Sequence, residues 1–258
     1  MDMGLDGKLV LITGGSKGIG LACGKAFAAE GARIALCSRT QENLKRAKEA
    51  LLGASTFQAD LIDAGAAAEM VAAVESRLGP VDVLVNSAGA ARRTPPAELN
   101  PQAWRAGMDA KFFSYIHAID PMVKRMAQRG RGVIVNIIGV GGKVAAPVHL
   151  PGGAANAALM LVTAGLGTAY AAKGVRVVGV NPGLTETDRV AERMLAEAKA
   201  AGISSEEARA RSITHLPLGR LASPMEIAQA VVFLASPRAS YITGTTLAMD
   251  GAVYPFVL

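Results

Sequence analysis

Three glycines, Gly14, Gly18 and Gly20, follow the wholly apolar run 9–12 and precede residues 21–27, which read as a helix. A turn of this composition brings bare backbone N–H groups up to an anion, and the positive end of the following helix points at it. Glycine suits because a side chain would block the approach of a phosphate and because such turns use positive φ. Ser16, Lys17 and Ile19 complete the loop. The strand before and the helix after supply the context that a phosphate cradle requires. A second basic residue, Arg39, follows Ser38 at the end of the next buried run, 33–37. In dinucleotide folds an acid at this place accepts hydrogen bonds from the ribose hydroxyls of NAD. No acid stands here. The planar fork of Arg39 suits the oxygens of a 2′-phosphate. Lys17 adds a second charge and Ser38 a hydroxyl, so the pattern points to NADP as cofactor. Ordinary solvated loop charges are the alternative.

The elements that must position these groups alternate along the chain. Strand-like runs occur at 9–12, 33–37, 56–61, 81–85, 132–138 and 175–180, and a last one lies within 241–251. Helical segments separate them, including 41–52 and a long one from Trp104 to Met126. Alternating strands and helices predict a doubly wound parallel sheet of seven strands, a Rossmann-like α/β fold with helices on both faces. Nothing in the 258 residues reads as a linker, a repeat or a low-complexity tract, so residues 1–258 are expected to form one domain.

Composition narrows the function classes. The formal charge of +6 is modest, and no arginine-rich run or aromatic–basic stripe suggests nucleic acid. Residues 144–172 lack Lys, Arg, Asp and Glu and are long enough for a membrane span. Pro147, Pro151, Gly152 and Gly153 interrupt them, and His149 and Asn156 would be costly in lipid, so no membrane is expected and a helix buried in the protein or in a subunit interface is read instead. The first residues show no basic region followed by an apolar one, hence no secretory signal. Cys23 and Cys37 fall in core elements and read as reduced, packed thiols of a cytoplasmic protein.

Thr13-Gly14-x-x-x-Gly18-Ile19-Gly20 resembles the cofactor motif of the short-chain dehydrogenase/reductase family, and later segments match it at the right separations over nearly the whole chain. The resemblance implies that Asp60 and Leu61 lie near an adenine, although Asp60 could instead cap the helix that starts after Asp63. Asn86-Ser87-Ala88-Gly89 is similar to the family's Asn-x-Ala-Gly motif, implying that this segment steadies the central sheet and passes near the cofactor, with Asn86, Ala88 and Gly89 as cofactor contacts. Asn181-Pro182-Gly183 with Thr185 and Thr187 is similar to the loop that closes over the nicotinamide. Residues 188–215 resemble the variable substrate lid, and the long helices and last strand imply a homo-oligomer, a tetramer or dimer.

The resemblance breaks at the reacting end. The family places an Asn seven residues after the Trp, a Ser after the fifth strand, a Tyr thirteen residues later and a Lys four beyond that. Those positions hold Lys111, Gly139, Gly152 and Asn156. No serine occurs between Tyr115 and Ile203, and no tyrosine is followed by a lysine four residues later. Lys111 and His149 are the candidate replacements, Lys111 as an electrophile or proton donor and His149 as an acid near neutral pH. A snorkelling lysine and a loop histidine are the plainer reading. Two functions follow: an NADP-dependent oxidoreductase with an altered active site acting on a small molecule, or a catalytically silent NADP(H)-binding protein, a sensor or inactive subunit.

Overall fold

The computed structural model describes residues 2–89 and 91–255. Seven strands form one sheet in the order β3-β2-β1-β4-β5-β6-β7, with every neighbouring pair parallel. They are β1 (Leu9–Thr13), β2 (Arg33–Ser38), β3 (Ser55–Gln58), β4 (Val83–Asn86), β5 (Gly132–Ile137), β6 (Val175–Pro182) and β7 (Thr246–Met249). The helices are α1 (Gly18–Ala29), α2 (Gln41–Ala50), α3 (Ala64–Leu78), α4 (Pro101–Met108), α5 (Ser114–Arg129), α6 (Leu150–Ala171), α7 (Asp188–Ala201), α8 (Ser205–Thr214) and α9 (Pro224–Ala235). The expected seven-stranded doubly wound sheet is what forms.

Period-two alternation explains why the central strands are apolar throughout. Leu9 and Leu11 of β1 face one core, which contains Val71 and Val74 of α3, Tyr115 and Met122 of α5 and Leu159 of α6. Val10 and Ile12 face the other, with Cys23 and Phe27 of α1 and Ile227 and Val231 of α9. Both faces are covered, so a strand here has no polar side to show. The sheet reverses its winding between β1 and β4, and the crevice beyond the carboxyl ends of those strands is where such folds bind ligands.

Several boundaries differ from expectation. The third strand stops at Gln58, so Ala59 to Leu61 lie beyond it, and Asp63 rather than Asp60 caps α3, accepting from Ala66 N at 2.7 Å. The segment expected from Trp104 to Met126 begins at Pro101, ends at Arg129 and is interrupted by a single π turn, Asp109–Phe113. Such turns concentrate at functional sites. Residues 188–215 are two helices, α7 and α8.

Candidate functional site

The glycine turn is built as its composition requires. Gly14 and Gly18 have φ of +63° and +55°, a region other residues enter at a cost. A Cβ on Gly14 would lie 2.7 Å from Ala88 N and from Ser87 O, and one on Gly20 would overlap the carbonyl of Gly14. The turn is therefore packed backbone to backbone against the Asn86–Gly89 segment. Gly89, with φ of +85°, is similarly constrained, because a Cβ there would overlap the Ala110 carbonyl of the π turn. Thr187 closes the far side, its Cγ2 3.4 Å from where a Cβ on Gly18 would stand. It also precedes the first residue of α7, so the N-termini of α1 and α7 meet over the same turn.

The loop that carries Thr187 is held from below. Gly183 N donates to Met249 O at 3.0 Å, and a Cβ on Gly183 would crowd Asp250 Cα at 2.9 Å. Thr185 Oγ1 donates to Gly183 O at 3.2 Å, and Pro182 is the buried last residue of β6. The glycine turn expected to hold the phosphates and the loop expected to close over the nicotinamide are thus brought together at Thr187 and Gly18.

At the other end of the cradle, Ser16 Oγ donates to Ser38 Oγ at 3.1 Å, tying the glycine loop to the end of β2. Lys17 and Arg39 are both exposed, and no ion pair engages either among the described residues. The backbone of Arg39 is fixed by Gln58, whose Nε2 donates to Arg39 O at 2.9 Å. Asp60 Oδ1 accepts from Ile62 N at 3.2 Å, and buried Leu61 offers its carbonyl to His117 Nδ1 at 2.9 Å.

Asn86, expected among the cofactor contacts, does not present its side chain to the crevice, because that side chain is committed within the sheet. It is fully buried and belongs to a chain of side-chain hydrogen bonds across the sheet. Thr13 Oγ1 donates to Asn86 Oδ1 at 3.2 Å, Asn86 Nδ2 to Asn136 Oδ1 at 3.0 Å, and Asn136 Nδ2 to Thr163 Oγ1 at 3.0 Å. Thr163 in turn donates to Leu159 O at 2.7 Å. Asn136 and Thr163 were missed by sequence reasoning, although an asparagine within the apolar run 132–138 was a readable signal of a buried polar partner.

The four positions of the reacting end separate into two places. Gly139, Gly152 and Asn156 gather around His149. Asn156 Nδ2 lies 3.3 Å from where a Cβ on Gly139 would stand and 3.6 Å from that of Gly141. His149 Cδ2 is 3.6 Å from the same point beside Gly141, and a Cβ on Gly152 would overlap the imidazole. Asn156 is 6% exposed, and its Oδ1 has no hydrogen-bond partner. Asn181, another residue outside the expected set, accepts from Gly139 N through Oδ1 at 3.2 Å and so holds the loop after β5.

Lys111 is engaged elsewhere. It is 8% exposed, and Nζ donates to Tyr115 Oη at 2.7 Å and to Ile137 O at 2.9 Å. Two of its three donors are committed there. Tyr115 also donates to Ile137 O, at 2.5 Å, and burial pushes its phenol above the ordinary range, so it stays a neutral donor. The placement supports a strut between the π turn and the end of β5 more than an electrophile facing substrate.

These features fit a dinucleotide. The cradle leaves no room for side chains at Gly14 and Gly20, and Asn156 Oδ1 is a buried acceptor without a partner. The fold and the cradle define a dinucleotide-binding α/β protein. Residues 14–253 match the family model described as enoyl-(acyl carrier protein) reductase. Gluconate 5-dehydrogenase of Gluconobacter oxydans is 34% identical over 96% of this chain and 95% of its own. Among solved structures, L-sorbose reductase from Gluconobacter frateurii complexed with NADPH and L-sorbose superposes with a TM-score of 0.93 at 30% identity, covering 100% of both chains. An NADPH-bound short chain oxidoreductase from Pseudomonas aeruginosa containing an atypical catalytic center gives 0.87 at 33%, covering 98% and 99%. The chain belongs to the short-chain dehydrogenase/reductase family.

Proposed function

We propose that the chain is an NADP(H)-dependent oxidoreductase with an altered reacting end, acting on a small-molecule substrate. The observation that carries the cofactor choice is the end of β2. Lys17 and Arg39, both exposed, directly follow the hydrogen-bonded pair Ser16 and Ser38 in the chain, and no carboxylate stands at the end of β2 to prefer ribose hydroxyls. The NADPH held by both similar solved structures supports the same choice. Gly14, Ser16, Gly18, Ile19 and Gly20 would hold the pyrophosphate, Asp60, Leu61, Ala88 and Gly89 the adenosine half, and Pro182, Gly183, Thr185 and Thr187 the nicotinamide half. NADP(H) supplies the hydride donor or acceptor, and the chain's residues orient it.

The reacting end is altered in that Gly139, Gly152 and Asn156 occupy the places of the family's Ser, Tyr and Lys, and Lys111 that of its Asn. General acid–base help is worth about 10²–10⁴ in rate, so a carbonyl reductase without any replacement would be slow. An imine substrate already protonated, or an activated alkene, would need such help less. The same substitutions favour a second reading, a protein that binds NADP(H) without turnover. NADPH binding followed by fluorescence, then NADPH oxidation in the presence of ketones, imines and activated alkenes, separates the two. Turnover with any class supports the enzyme, binding without turnover supports the silent protein, and no binding rejects both.

The remaining assignments belong to this same reading. The helices α7 and α8 form a lid, tied at its base by the Glu186–Arg209 ion pair at 2.8 Å. Among the described residues one stretch, Pro147–Ala171, is long and apolar enough by composition to cross a membrane; it lies along the sheet, yet most of it is not buried in the single chain. Leu161, 76% exposed, marks the outer face of α6. A second copy of the chain covering that face, in a dimer or tetramer, accounts for it without a membrane, and light scattering at micromolar concentration tests it. The two buried, unpaired thiols support a cytoplasmic protein.

A further inference from the structure

We propose that His149 is the acid–base residue of this site, its imidazole filling the space that a side chain at position 152 would occupy. The inference rests on the NADP(H)-dependent reading above and names the group that reading leaves open.

The ring is positioned by the chain on both sides. His149 ends a short 3₁₀ turn, Pro147–His149, and immediately precedes α6. His149 N donates to Ala146 O at 2.8 Å, and Thr94 N donates to Val148 O at 3.0 Å, fastening the turn to the loop beyond β4. Pro147 and Pro151 restrict the backbone before and after it. Gly152 leaves room for the ring. A Cβ there would overlap imidazole Cε1 and Nε2, so the ring and a side chain at 152 exclude each other. Gly152 has no positive φ to explain its identity.

The surroundings are those of a reacting centre rather than of a core. The ring lies beside Gly141 in the turn that follows β5, on the side of the sheet where such folds bind ligands. Asn156 shares the place: His149 Cδ2 and Asn156 Nδ2 are both 3.6 Å from the same point beside Gly141. Asn156 Oδ1 is buried with no partner, a state that costs stability unless something donates to it. A ribose hydroxyl next to the nicotinamide is such a donor. Lys111 has two donors committed to Tyr115 and Ile137, and an imidazole is a side chain able to give and take a proton.

The step balances with the groups named. NADPH, if held by the glycine turn and the Pro182–Thr187 loop, would supply a hydride to a carbonyl carbon while the C=O π pair moves to oxygen. The imidazolium of His149 gives its N–H proton to that oxygen, becomes neutral, and is reprotonated by water.

The test uses the full chain, NADPH and diacetyl as a small carbonyl probe. Wild type, His149→Gln and Gly152→Ala are expected to bind NADPH alike by fluorescence. NADPH oxidation is expected to fall by about 10²–10⁴ in His149→Gln, and also in Gly152→Ala, whose methyl group evicts the ring. In His149→Gly, added imidazole is expected to restore the rate. Asn156→Leu is expected to weaken NADPH binding, a readout independent of turnover. Equal rates in wild type and His149→Gln, no oxidation by an NADPH-bound wild type, no rescue by imidazole, or unchanged NADPH affinity in Asn156→Leu would each overturn the proposal. Failure of the wild type to bind NADPH is a different result and removes the cofactor reading beneath it.

Discussion

Asn86 on β4 donates to Asn136 on β5 at 3.0 Å, and neither side chain reaches solvent. With Thr13 before them and Thr163 after, they carry one hydrogen-bond chain from the glycine turn through the sheet to α6. The strand ends that frame the cofactor crevice are therefore fixed relative to the helix that carries Gly152 and Asn156. In a low-dielectric core each link is strong when made and costly when broken.

Asn136→Leu leaves Asn86 Nδ2 and Thr163 Oγ1 each short of one partner. At about 1–3 kcal/mol for each of the two orphaned groups, a loss of about 2–6 kcal/mol is expected. Urea unfolding should show the midpoint falling with the slope unchanged. A loss below about 0.5 kcal/mol, the scale of an ordinary surface substitution, would mean the chain is not a structural link.

Gly18→Ala places a non-glycine residue at φ of +55° with its methyl group 3.4 Å from Thr187 Cγ2. The backbone cost is about 1–2 kcal/mol. Relief by rotating the peptide would turn an N–H away from the phosphate. Melting is expected to drop by a few degrees and NADPH affinity by about tenfold, since 1.4 kcal/mol is one decade. Unchanged affinity on a melting-shifted variant would separate the turn from the phosphate.

The start of α9 carries an acid-sensitive joint. Ser223 and Glu226 form a capping box, and Arg220 clasps the same carboxylate at 2.7 and 2.8 Å. Arg220 and the Ser223 backbone N–H together pull Glu226 from its ordinary 4.5 down to about 2. A depressed carboxylate contributes stability above its unfolded pKa and loses it as pH falls through the folded value. The contribution is thus complete above about pH 4.5 and gone below about pH 2. Stability of Glu226→Gln relative to wild type, measured between pH 6 and pH 2, should converge as pH falls. A constant offset across that range would contradict the assignment.

Cys23 and Cys37 are buried, and desolvation pushes both thiols up to about 12. The thiolate is the reactive form. At pH 7.5 the native chain should resist a disulfide exchange reagent on the time scale in which the urea-unfolded chain reacts at two sites. Prompt reaction of the native chain would show that one of the two elements opens.

The sheet was legible because its strands are apolar on both faces, which a sequence displays directly. The cradle was legible because only glycine fits it. Boundaries were less so: the π turn at Asp109–Phe113 has no composition of its own and follows from Gly89 packing against Ala110. Asp60 and Asp63 look alike as helix caps in sequence, and only the backbone geometry assigns the role to Asp63. Lys111 reads in sequence either as a replacement in the cleft or as a snorkelling lysine, and the choice depends on where its acceptors lie in the fold, one of them 26 residues away. Here those are Ile137 O and Tyr115 Oη. The overlap of the His149 ring with a side chain at 152 was likewise invisible, since it depends on a loop conformation and not on spacing.

The central claim is that a 2′-phosphate is recognised at the end of β2, and the most direct measurement is the pair of dissociation constants for NADPH and NADH in wild type and in Arg39→Asp. Hydrogen bonds to a charged group are worth about 1.5–3 kcal/mol, so Arg39→Asp should lose about 10–100-fold in NADPH affinity while NADH binding holds or improves. Equal affinity of wild type for the two nucleotides, or an Arg39→Asp variant that binds NADPH as tightly as wild type, would contradict it.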